Sequence, residues 1–428
     1  MGLISKIFAR QILDSKGIPT VEVDVITDRG VIGRSSVPSG TTTGKYEAVE
    51  LRDNDKGRYL GKGVSKAVYN INKVLNDELK GLYITEQVTI DQAMISIDGT
   101  DNKSNIGANA ILAVSMAVAK AAAHTTGQSL YRYIGGVYAT TMPIPMMNII
   151  NGGVNADNKV DFLEFMLMPI NADTFSDAFR MGTEIYHHLK NILKEKGLSV
   201  NVCDEAGFTP NLKSNEEAIE LIIKAIEKAG FKAGKDVYIA IDAAASEFYN
   251  NKEKVYYLSK GSKKFDSQQM INYWVKLIKK YPVISIEDPL DQDDWANWTA
   301  LNKVIGNDIQ LAGDDLFVTN TSRLAKGIME GAANSIIIKP NQIGTLTETI
   351  NTIQLAAKWG FNSIISLRSG ETEDVSIAEL SVALNTGLIK FGSPCHSEHT
   401  AKYNQLIRIE EELGNSARYY GREFKYLR

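Results

Sequence analysis

Polar and apolar residues alternate in the first part of the chain before helical periods take over. The segment TVEVDVIT at 20–27 predicts a half-buried strand, and GVIGRSSV at 30–37 predicts its hairpin partner. Apolar residues then recur at helical spacing over about 66–79 and over about 109–123, where small residues favour close packing. Strands followed by helices predict an α+β module.

Beyond residue 140, short apolar runs alternate with amphipathic stretches. Near-continuous apolar strands are typical of parallel strands that helices cover on both faces. The runs lie at 160–169, 237–242, 283–288, 309–315, 335–340 and 363–369, and the predicted helices lie at 215–230, 268–281 and 346–360.

The spacing of these units predicts a barrel. Successive polar strand-end residues from Glu287 to Arg368 are 25 to 29 residues apart, a period typical of single βα units. A region of this length exceeds the usual doubly wound sheet and fits the ~250 residues of a (β/α)8 barrel. We therefore predict an α/β protein with an α+β N-terminal domain at 1–136 and a barrel domain at 137–428, divided at a glycine pair.

Composition and charge exclude several classes of protein. The chain has 428 residues with 47 basic and 51 acidic side chains, which gives no basic field for nucleic acid or a polybasic membrane contact. At 44% hydrophobic and 23% charged it can bury a large core. Its two cysteines are too few for a disulfide framework, and its longest apolar stretch is too short to cross a bilayer. A cytoplasmic protein without a membrane span is expected.

Charged residues stand at the ends of the predicted strands. In a barrel, strand C-termini meet at one mouth, so five such residues would converge there: Asp242, Glu287, Asp314, Lys339 and Arg368. Three carboxylates form an all-oxygen cluster that suits Mg²⁺. Acidic residues after strands are also common as helix N-caps, and this alternative stays open for each of them.

Lys339 has two interpretations at this point. Beside a carboxylate-bound cation, burial and positive charge depress the pKa of a lysine, which can then act as a base. Removal of a proton next to a carboxylate needs such a base together with a metal that holds the extra charge. Alternatively, Lys339 neutralises the acids in a structural ion pair.

Long ordered segments of the chain resemble the enolase family. They include PSGTTTGKYEAVELRD (38–53), IDGTDNKSNIGANAIL (97–112), MMNIINGG (146–153), IEDPLDQDDW (286–295), GDDLFVTNT (313–321), IKPNQIGTLTET (338–349), RSGETED (368–374) and AKYNQLIRIEEELG (401–414). The resemblance covers essentially the whole length. It implies an enolase-type (β/α)8 barrel and a Mg²⁺-dependent hydro-lyase of glycolysis that interconverts 2-phosphoglycerate and phosphoenolpyruvate, as a homodimer or a larger ring.

The resemblance also implies roles for individual residues. Lys339 resembles the base that takes the C2 proton, and Glu205 resembles the acid that helps the C3 hydroxide leave, supported by Glu164. The implied ligands of a first Mg²⁺ are Asp242, Glu287 and Asp314, and Ser39 resembles the ligand of a second ion. The implied substrate contacts are Lys390 to the carboxylate and Arg368 and Ser369 to the phosphate, where the planar fork of arginine makes paired hydrogen bonds.

The substrate pocket departs from the family pattern at three positions. Asn155 stands where the family has histidine, Leu163 where it has glutamine, and Leu367 where it has histidine beside the phosphate-binding arginine. GDEGGF has become CDEAGF, and the late Arg-Ser-Glu-Arg segment has become residues 396–399. We expect these losses of polar contacts to change substrate preference, unless His396, His399 or Lys402 folds over the mouth and compensates.

Three functions remain open from the sequence. The first is an enolase that acts on a small phosphorylated carboxylic acid. The second is an enolase-like dehydratase that acts on a related substrate, such as a phosphonate analogue. The third is a catalytically weak relative kept for binding, which the retained Lys339 and Glu205 argue against and which Asn155 and Leu367 favour.

Overall fold

The N-terminal module opens with a three-stranded antiparallel sheet. The computed structural model describes residues 2–40, 44–259 and 261–427. The strands β1 (Ile4–Leu13), β2 (Pro19–Thr27) and β3 (Ile32–Ser36) pair in that order, so the predicted hairpin is confirmed. β1 was not predicted because a bulge between Ile4 and Lys6 shifts its register and breaks the alternation of its apolar residues.

Helices cover this sheet on one face. The predicted helix over 66–79 is present, with a π-helical turn at Asn70–Leu75 between two short α-helices. The Ala-rich segment is confirmed as the buried helix Ala108–Thr125. The helices are α1 (Ser65–Tyr69), α2 (Asn76–Leu79), α3 (Gln87–Asp98), α4 (Ala108–Thr125) and α5 (Leu130–Gly135).

The strands that follow the N-terminal module, from Thr141 onward, form three further sheets. They are β4 (Thr141–Met142), β5 (Ile144–Pro145), β6 (Met147–Asn151), β7 (Glu164–Pro169), β8 (Val237–Asp242), β9 (Tyr249–Asn250), β10 (Val255–Leu258), β11 (Lys263–Phe265), β12 (Val283–Glu287), β13 (Gln310–Gly313), β14 (Ser335–Ile338), β15 (Asn362–Ser366), β16 (Gly387–Lys390) and β17 (Arg418–Tyr419). The large sheet has the order β5-β16-β15-β14-β13-β12-β8-β7-β6.

The large sheet curls into a barrel. Its edge strands β5 and β6 are separated only by Met146, whose backbone N–H donates to the carbonyl of Ile389 in β16 at 2.8 Å. β5 and β6 thus form one interrupted strand, and the described residues build an eight-stranded ring. The expected barrel is confirmed.

One strand of the barrel runs against the others. β7 is antiparallel to both β6 and β8, while the pairs from β8 to β16 are parallel. The expectation of parallel strands therefore fails at β7, because the direct link from β6 to β7 contains no α-helix. As a result Glu164, the first residue of β7, is in register with Asp242, the last residue of β8.

Helices surround the barrel, with ends within a few residues of the predicted ones. They are α6 (Phe175–Glu195), α7 (Asn215–Lys228), α8 (Ser267–Lys280), α9 (Trp295–Ile305), α10 (Thr321–Glu330), α11 (Pro340–Ile343), α12 (Leu346–Lys358), α13 (Ser376–Ala383) and α14 (Ser397–Leu413). None of the helices described is long and apolar enough to cross a membrane.

Separate apolar cores support the two parts. The core of the module is built mainly from residues 4–130 and includes Leu346 and Leu380 of the barrel helices. Inward-facing strand residues fill the barrel, and Phe424 and Tyr426 near the C-terminus close this interior cluster. The domain boundary at 136 stays a prediction.

Candidate active site

The register of the barrel brings the predicted strand-end residues to one mouth. Glu164 is paired with Asp242, and Asp242 is paired with Glu287, so three carboxylates lie side by side on neighbouring strands. Asp314 follows β13 directly and Lys339 follows β14 directly. The predicted convergence of these charges is therefore present.

Lys390, at the end of β16, lies among the first three carboxylates. Its Nζ is 2.8 Å from Oδ2 of Asp242, 2.8 Å from Oε2 of Glu287 and 2.8 Å from Oε2 of Glu164. All four side chains are buried. These oxygens thus converge on one point that is suited to a positive charge.

Lys339 forms an ion pair with Asp314 at the next strand ends. Oδ1 of the same carboxylate accepts a hydrogen bond from Nε2 of Gln342 at 3.0 Å. Burial lowers the pKa of Lys339, but Asp314 raises it, and the net result is a pKa above the ordinary value. The depressed pKa expected of a base would need a further positive charge beside the amine.

Glu164 and Glu205 form a buried carboxyl pair. Burial, followed by the charge of Glu205, raises the pKa of Glu164 to about 8. Oε2 of Glu205 accepts hydrogen bonds from Nδ2 of Asn155 at 3.1 Å and from Nδ2 of Asn151 at 3.3 Å. Asn155 therefore contacts the predicted acid through its side-chain amide.

The loop after β15 places Arg368 and Ser369 at the same mouth. The guanidinium of Arg368 donates to the carboxylate of Glu47, from Nη1 to Oε2 at 2.8 Å. Its backbone N–H donates to Oε1 of Glu371 at 3.0 Å, and Oε2 of Glu371 is 2.9 Å from Nζ of the fully buried Lys402. Lys402 thus supports this loop through Glu371 and does not line the cavity described below.

Ser39 lies beside this loop, and its hydroxyl donates a hydrogen bond to Asp14 of the N-terminal module. Its backbone pairs with Gly370 in both directions. Residues 41–43, which follow Gly40, lie outside the described part of the chain.

A cavity joins these residues. Most of the predicted site residues line it, while Asn155, Glu287 and Ser39 lie outside its lining and in contact with its residues or loops. Leu163 and Leu367 face it together with Val154, so part of the wall is apolar. The lining includes Leu163, Glu164, Glu205, Asp242, Asp314, Lys339, Leu367, Arg368, Ser369 and Lys390.

The donor set around the cavity fits a hard divalent cation. The predicted ligands Asp242, Glu287 and Asp314 offer carboxylate oxygens only, which Mg²⁺ prefers. Asp314 also belongs to a group in which one oxygen each from Asp288, Asp314 and Asp315 lie within 4.8 Å of one another, a group that does not include Asp242 or Glu287. The carboxylate of Asp288 already accepts the backbone N–H groups of Asp314 and Asp315, at 3.0 and 2.9 Å.

Sequence reasoning missed several polar residues in and beside the cavity. Glu47, Asp288, Asp315 and Gln342 contact predicted site residues, but none was assigned a role. All four lie inside the segments that carry the family resemblance, and the two aspartates directly follow predicted ligands. The adjacent acids Glu287–Asp288 and Asp314–Asp315 are visible in the sequence, so the second acid of each pair could have been considered as a site residue.

The proposed compensation by late histidines is absent from this site. His399 is buried, and burial lowers its pKa to about 3. Neither His399 nor its neighbour His396 is among the described residues that line the cavity. The apolar wall at Leu163 and Leu367 therefore receives no imidazole from this segment.

Two protein-family models match the chain. One, described as the N-terminal domain of enolase, matches residues 4–134. The other, described as the C-terminal TIM barrel domain of enolase, matches residues 139–427. The second match alone covers more than half of the chain, and together the two cover nearly all of it.

Proposed function

The chain belongs to the enolase family, and from this premise we propose that it is a Mg²⁺-dependent hydro-lyase that interconverts 2-phosphoglycerate and phosphoenolpyruvate. One observation carries the proposal. A single cavity is lined by an amine, a carboxyl pair and an arginine, in Lys339, Glu164 with Glu205, and Arg368. Proton removal, loss of hydroxide and phosphate binding need these groups within reach of one small molecule.

The metal ligands in this proposal are Asp242, Glu287 and Asp314. When bound, Mg²⁺ supplies the positive charge that stabilises the extra negative charge on the substrate carboxylate after proton loss. Lys390 lies within 2.9 Å of the Asp242 and Glu287 oxygens and adds a second positive charge there. We propose that Lys390 also contacts the substrate carboxylate.

Lys339 is the proposed base. Its Nζ, as a neutral amine, takes the proton from C2, and the electron pair of the C–H bond passes to the carboxylate. While Asp314 is its partner, the amine stays protonated, because the negative charge of Asp314 raises the pKa of Lys339. Occupation of Asp314 by a cation would remove that effect.

Glu205 is the proposed acid. As the electron pair returns from the carboxylate to form the C2–C3 double bond, the C3–O bond breaks, the carboxyl proton moves to the departing hydroxide, and water leaves. The pair with Glu164 suits this step, because Glu164, with a pKa of about 8, holds a proton at neutral pH that the carboxyl pair can supply. Nδ2 of Asn155 donates a hydrogen bond to Oε2 of Glu205 at 3.1 Å, and this bond orients the carboxyl group.

Direct turnover tests the proposal. Purified protein with Mg²⁺ and 2-phosphoglycerate should produce phosphoenolpyruvate, followed by its ultraviolet absorbance, and excess chelator should abolish the product. Full turnover in chelator would refute the metal assignment, and no product with Mg²⁺ would refute the substrate.

The apolar part of the cavity favours a second candidate. Leu163 and Leu367 place hydrocarbon where a more polar wall would favour a highly charged head group. A related acid with a less charged head, such as a phosphonate analogue, fits that wall. Faster turnover of the phosphonate than of 2-phosphoglycerate would establish this alternative.

Family membership supports three further proposals about the protein in the cell. They are a place in glycolysis, a cytoplasmic location and a homodimer or larger ring. Light scattering on the purified chain tests the last of these, and a monomer at working concentration would refute it.

A further inference from the structure

The carboxylate of Glu47, from the N-terminal module, accepts two hydrogen bonds from the guanidinium of Arg368. Nη1 donates to Oε2 of Glu47 at 2.8 Å, and Nη2 donates to Oε1 at 3.3 Å. The side chains of Arg368 and Glu47 are only 4% and 7% exposed. Paired contacts of this kind fix the plane of a guanidinium as well as its position.

Glu47 is itself held in place from two sides. The backbone N–H of Gly44 donates to its Oε1 at 2.8 Å, which closes a tight turn. Nε2 of Gln342 lies 3.5 Å from the same oxygen and donates to Oδ1 of Asp314 at 3.0 Å. The next residue, Ala48, donates its N–H to the carbonyl of Gln342 at 2.8 Å, so the segment that carries Glu47 is fastened to the barrel.

The cavity around Arg368 is strongly acidic. Carboxyl groups outnumber cationic groups among the described residues that line it, so the guanidinium is attracted toward its interior. Asp314, the partner of Lys339, is one of the groups that raise the pKa of Arg368. The carboxyl groups are those of Glu47, Glu164, Glu205, Asp242, Glu247, Asp288, Asp314 and Asp315, and the cations are Lys339, Arg368 and Lys390.

We propose that Glu47 is a positioning residue for the anion site. It holds Arg368 at the cavity wall, in a fixed plane, against the attraction of the acidic cluster. Without it, Arg368 turns toward Asp314, which removes the arginine from the anion. The inference rests on the proposed function for the identity of the anion as a phosphate, while the contact between Glu47 and Arg368 is independent of it.

The direction in which anion affinity changes when Glu47 becomes glutamine distinguishes this role from a general charge effect. Loss of a negative charge makes any acidic cavity more favourable for anions, so simple electrostatics predicts tighter anion binding when a glutamate becomes glutamine. A positioning role predicts the reverse for Glu47 alone. A competitor role, in which Glu47 occupies the place of the anion, predicts tighter binding than the general effect gives.

Inorganic phosphate binding, measured by calorimetry on the full chain, gives this sign. The variant Glu47→Gln keeps an oxygen for the Gly44 N–H but loses the charge. The matched control is Glu247→Gln, since Glu247 lines the same cavity from an exposed position and forms no ion pair with Arg368 among the described residues. The variant Arg368→Ala defines the baseline without the anion site.

We expect Glu47→Gln to weaken phosphate binding by about tenfold or more, as the loss of a hydrogen bond between charged groups does. Glu247→Gln should bind phosphate as tightly as the parent or more tightly. With substrate, Glu47→Gln should raise KM by a similar factor and change kcat by less than about threefold, a split that mere loss of folded protein does not produce. The shorter Glu47→Asp should give an intermediate affinity, and it takes the place of Glu47→Gln if that variant does not fold.

Phosphate binding by Glu47→Gln as tight as that of the parent, or tighter, would overturn the inference. Absence of any phosphate binding that depends on Arg368 would also overturn it. If the parent binds phosphate, Glu47→Gln weakens it and 2-phosphoglycerate is not turned over, the proposed function fails and the inference stands. If 2-phosphoglycerate is turned over but Glu47→Gln binds phosphate unchanged, the inference fails alone.

Discussion

Ala206, the residue after the proposed acid Glu205, has a left-handed backbone with φ of 63°. This conformation is unfavourable for a residue with a Cβ and is readily adopted by glycine, which the resembling family segment has at this position. Sequence reasoning found the substitution but not the strain, because φ follows from the fold of the whole loop. The carbonyl of Ala206 accepts a hydrogen bond from Oη of Tyr186 at 3.2 Å, which helps to hold the loop there.

Replacement of Ala206 by glycine should therefore not destabilise the protein. Ala→Gly in a helix costs about 1 kcal/mol, and we expect that loss for the control Ala218→Gly in α7. Ala206→Gly should instead leave the free energy of unfolding unchanged or raise it by up to about 1 kcal/mol. Urea denaturation measures both, and an equal loss in the two variants would contradict the strain.

The raised pKa of Glu164 should make the stability difference between the parent protein and Glu164→Gln depend on pH. This pKa of about 8 lies above the ordinary 4.5, so between these values the folded protein holds a proton that the unfolded chain releases. The native state thus binds more protons, and stability from this group falls as pH rises from about 5 to about 8. Glu164→Gln lacks this term, so its stability relative to the parent should improve steadily over that range in urea denaturation. A difference that is constant with pH would show that the Glu164 pKa is not raised.

At the scale of elements, the loop before α13 is tied to α4 of the N-terminal module. Nζ of Lys120 in α4 is 2.7 Å from Oδ2 of Asp374, which also accepts the backbone N–H of Ser36 at 3.0 Å. Burial raises the pKa of Asp374, but the charge of Lys120 and several hydrogen bonds lower it to a net value of about 2. This contact joins the module to the loop that carries Arg368.

Asp374→Asn should lower the free energy of unfolding by on the order of 3 kcal/mol, because it leaves Lys120 without its buried partner. Since the folded pKa is depressed, the contribution is present above the unfolded value near 4 and is lost as pH falls through about 2. The difference from the parent in urea denaturation should thus be constant from pH 5 to 8 and shrink near pH 2. The control Glu253→Gln breaks an exposed pair with Lys264 and should cost less than about 1 kcal/mol. Equal losses in the two variants would contradict the role of the buried contact.

The elements themselves could be predicted where one physical signal dominated. β8 and β12 were predicted from near-continuous apolar runs and α4 from its helical period, and their positions are confirmed. The antiparallel direction of β7 could not be read from its apolar run, because burial on both faces looks the same in either direction. Only the missing helix between β6 and β7 carried that information.

At the scale of the whole molecule, the site is shared between the two parts of the chain. Strand ends of the barrel carry the charges that the sequence predicted, since Asp314 and Lys339 follow buried strands. Glu47 and Ser39 reach the site on irregular segments of the N-terminal module, where no periodic pattern indicates which barrel residue they meet. Their contacts depend on how the two parts pack together.

The altered pocket gives a prediction about specificity. Restoring the family residues together, as Asn155→His, Leu163→Gln and Leu367→His, returns polar groups to the cavity and its rim. Each contact to an ionic partner is worth about 1.5–3 kcal/mol, so the triple variant should turn over 2-phosphoglycerate faster by about two powers of ten or more if the native pocket favours another substrate. Steady-state kinetics measures the gain. Brisk turnover by the parent with no gain in the variant would contradict altered specificity and favour the plain enolase activity.

The measurement closest to the central claim is exchange of the C2 proton of 2-phosphoglycerate with solvent deuterium. In D₂O with Mg²⁺, proton NMR should show loss of the C2 signal in the presence of the parent protein. Lys339→Ala should abolish this loss, because Lys339 is the proposed base at this mouth. Exchange at the parent rate in Lys339→Ala would contradict the assignment of the base, and no exchange with the parent protein would contradict proton removal at this site.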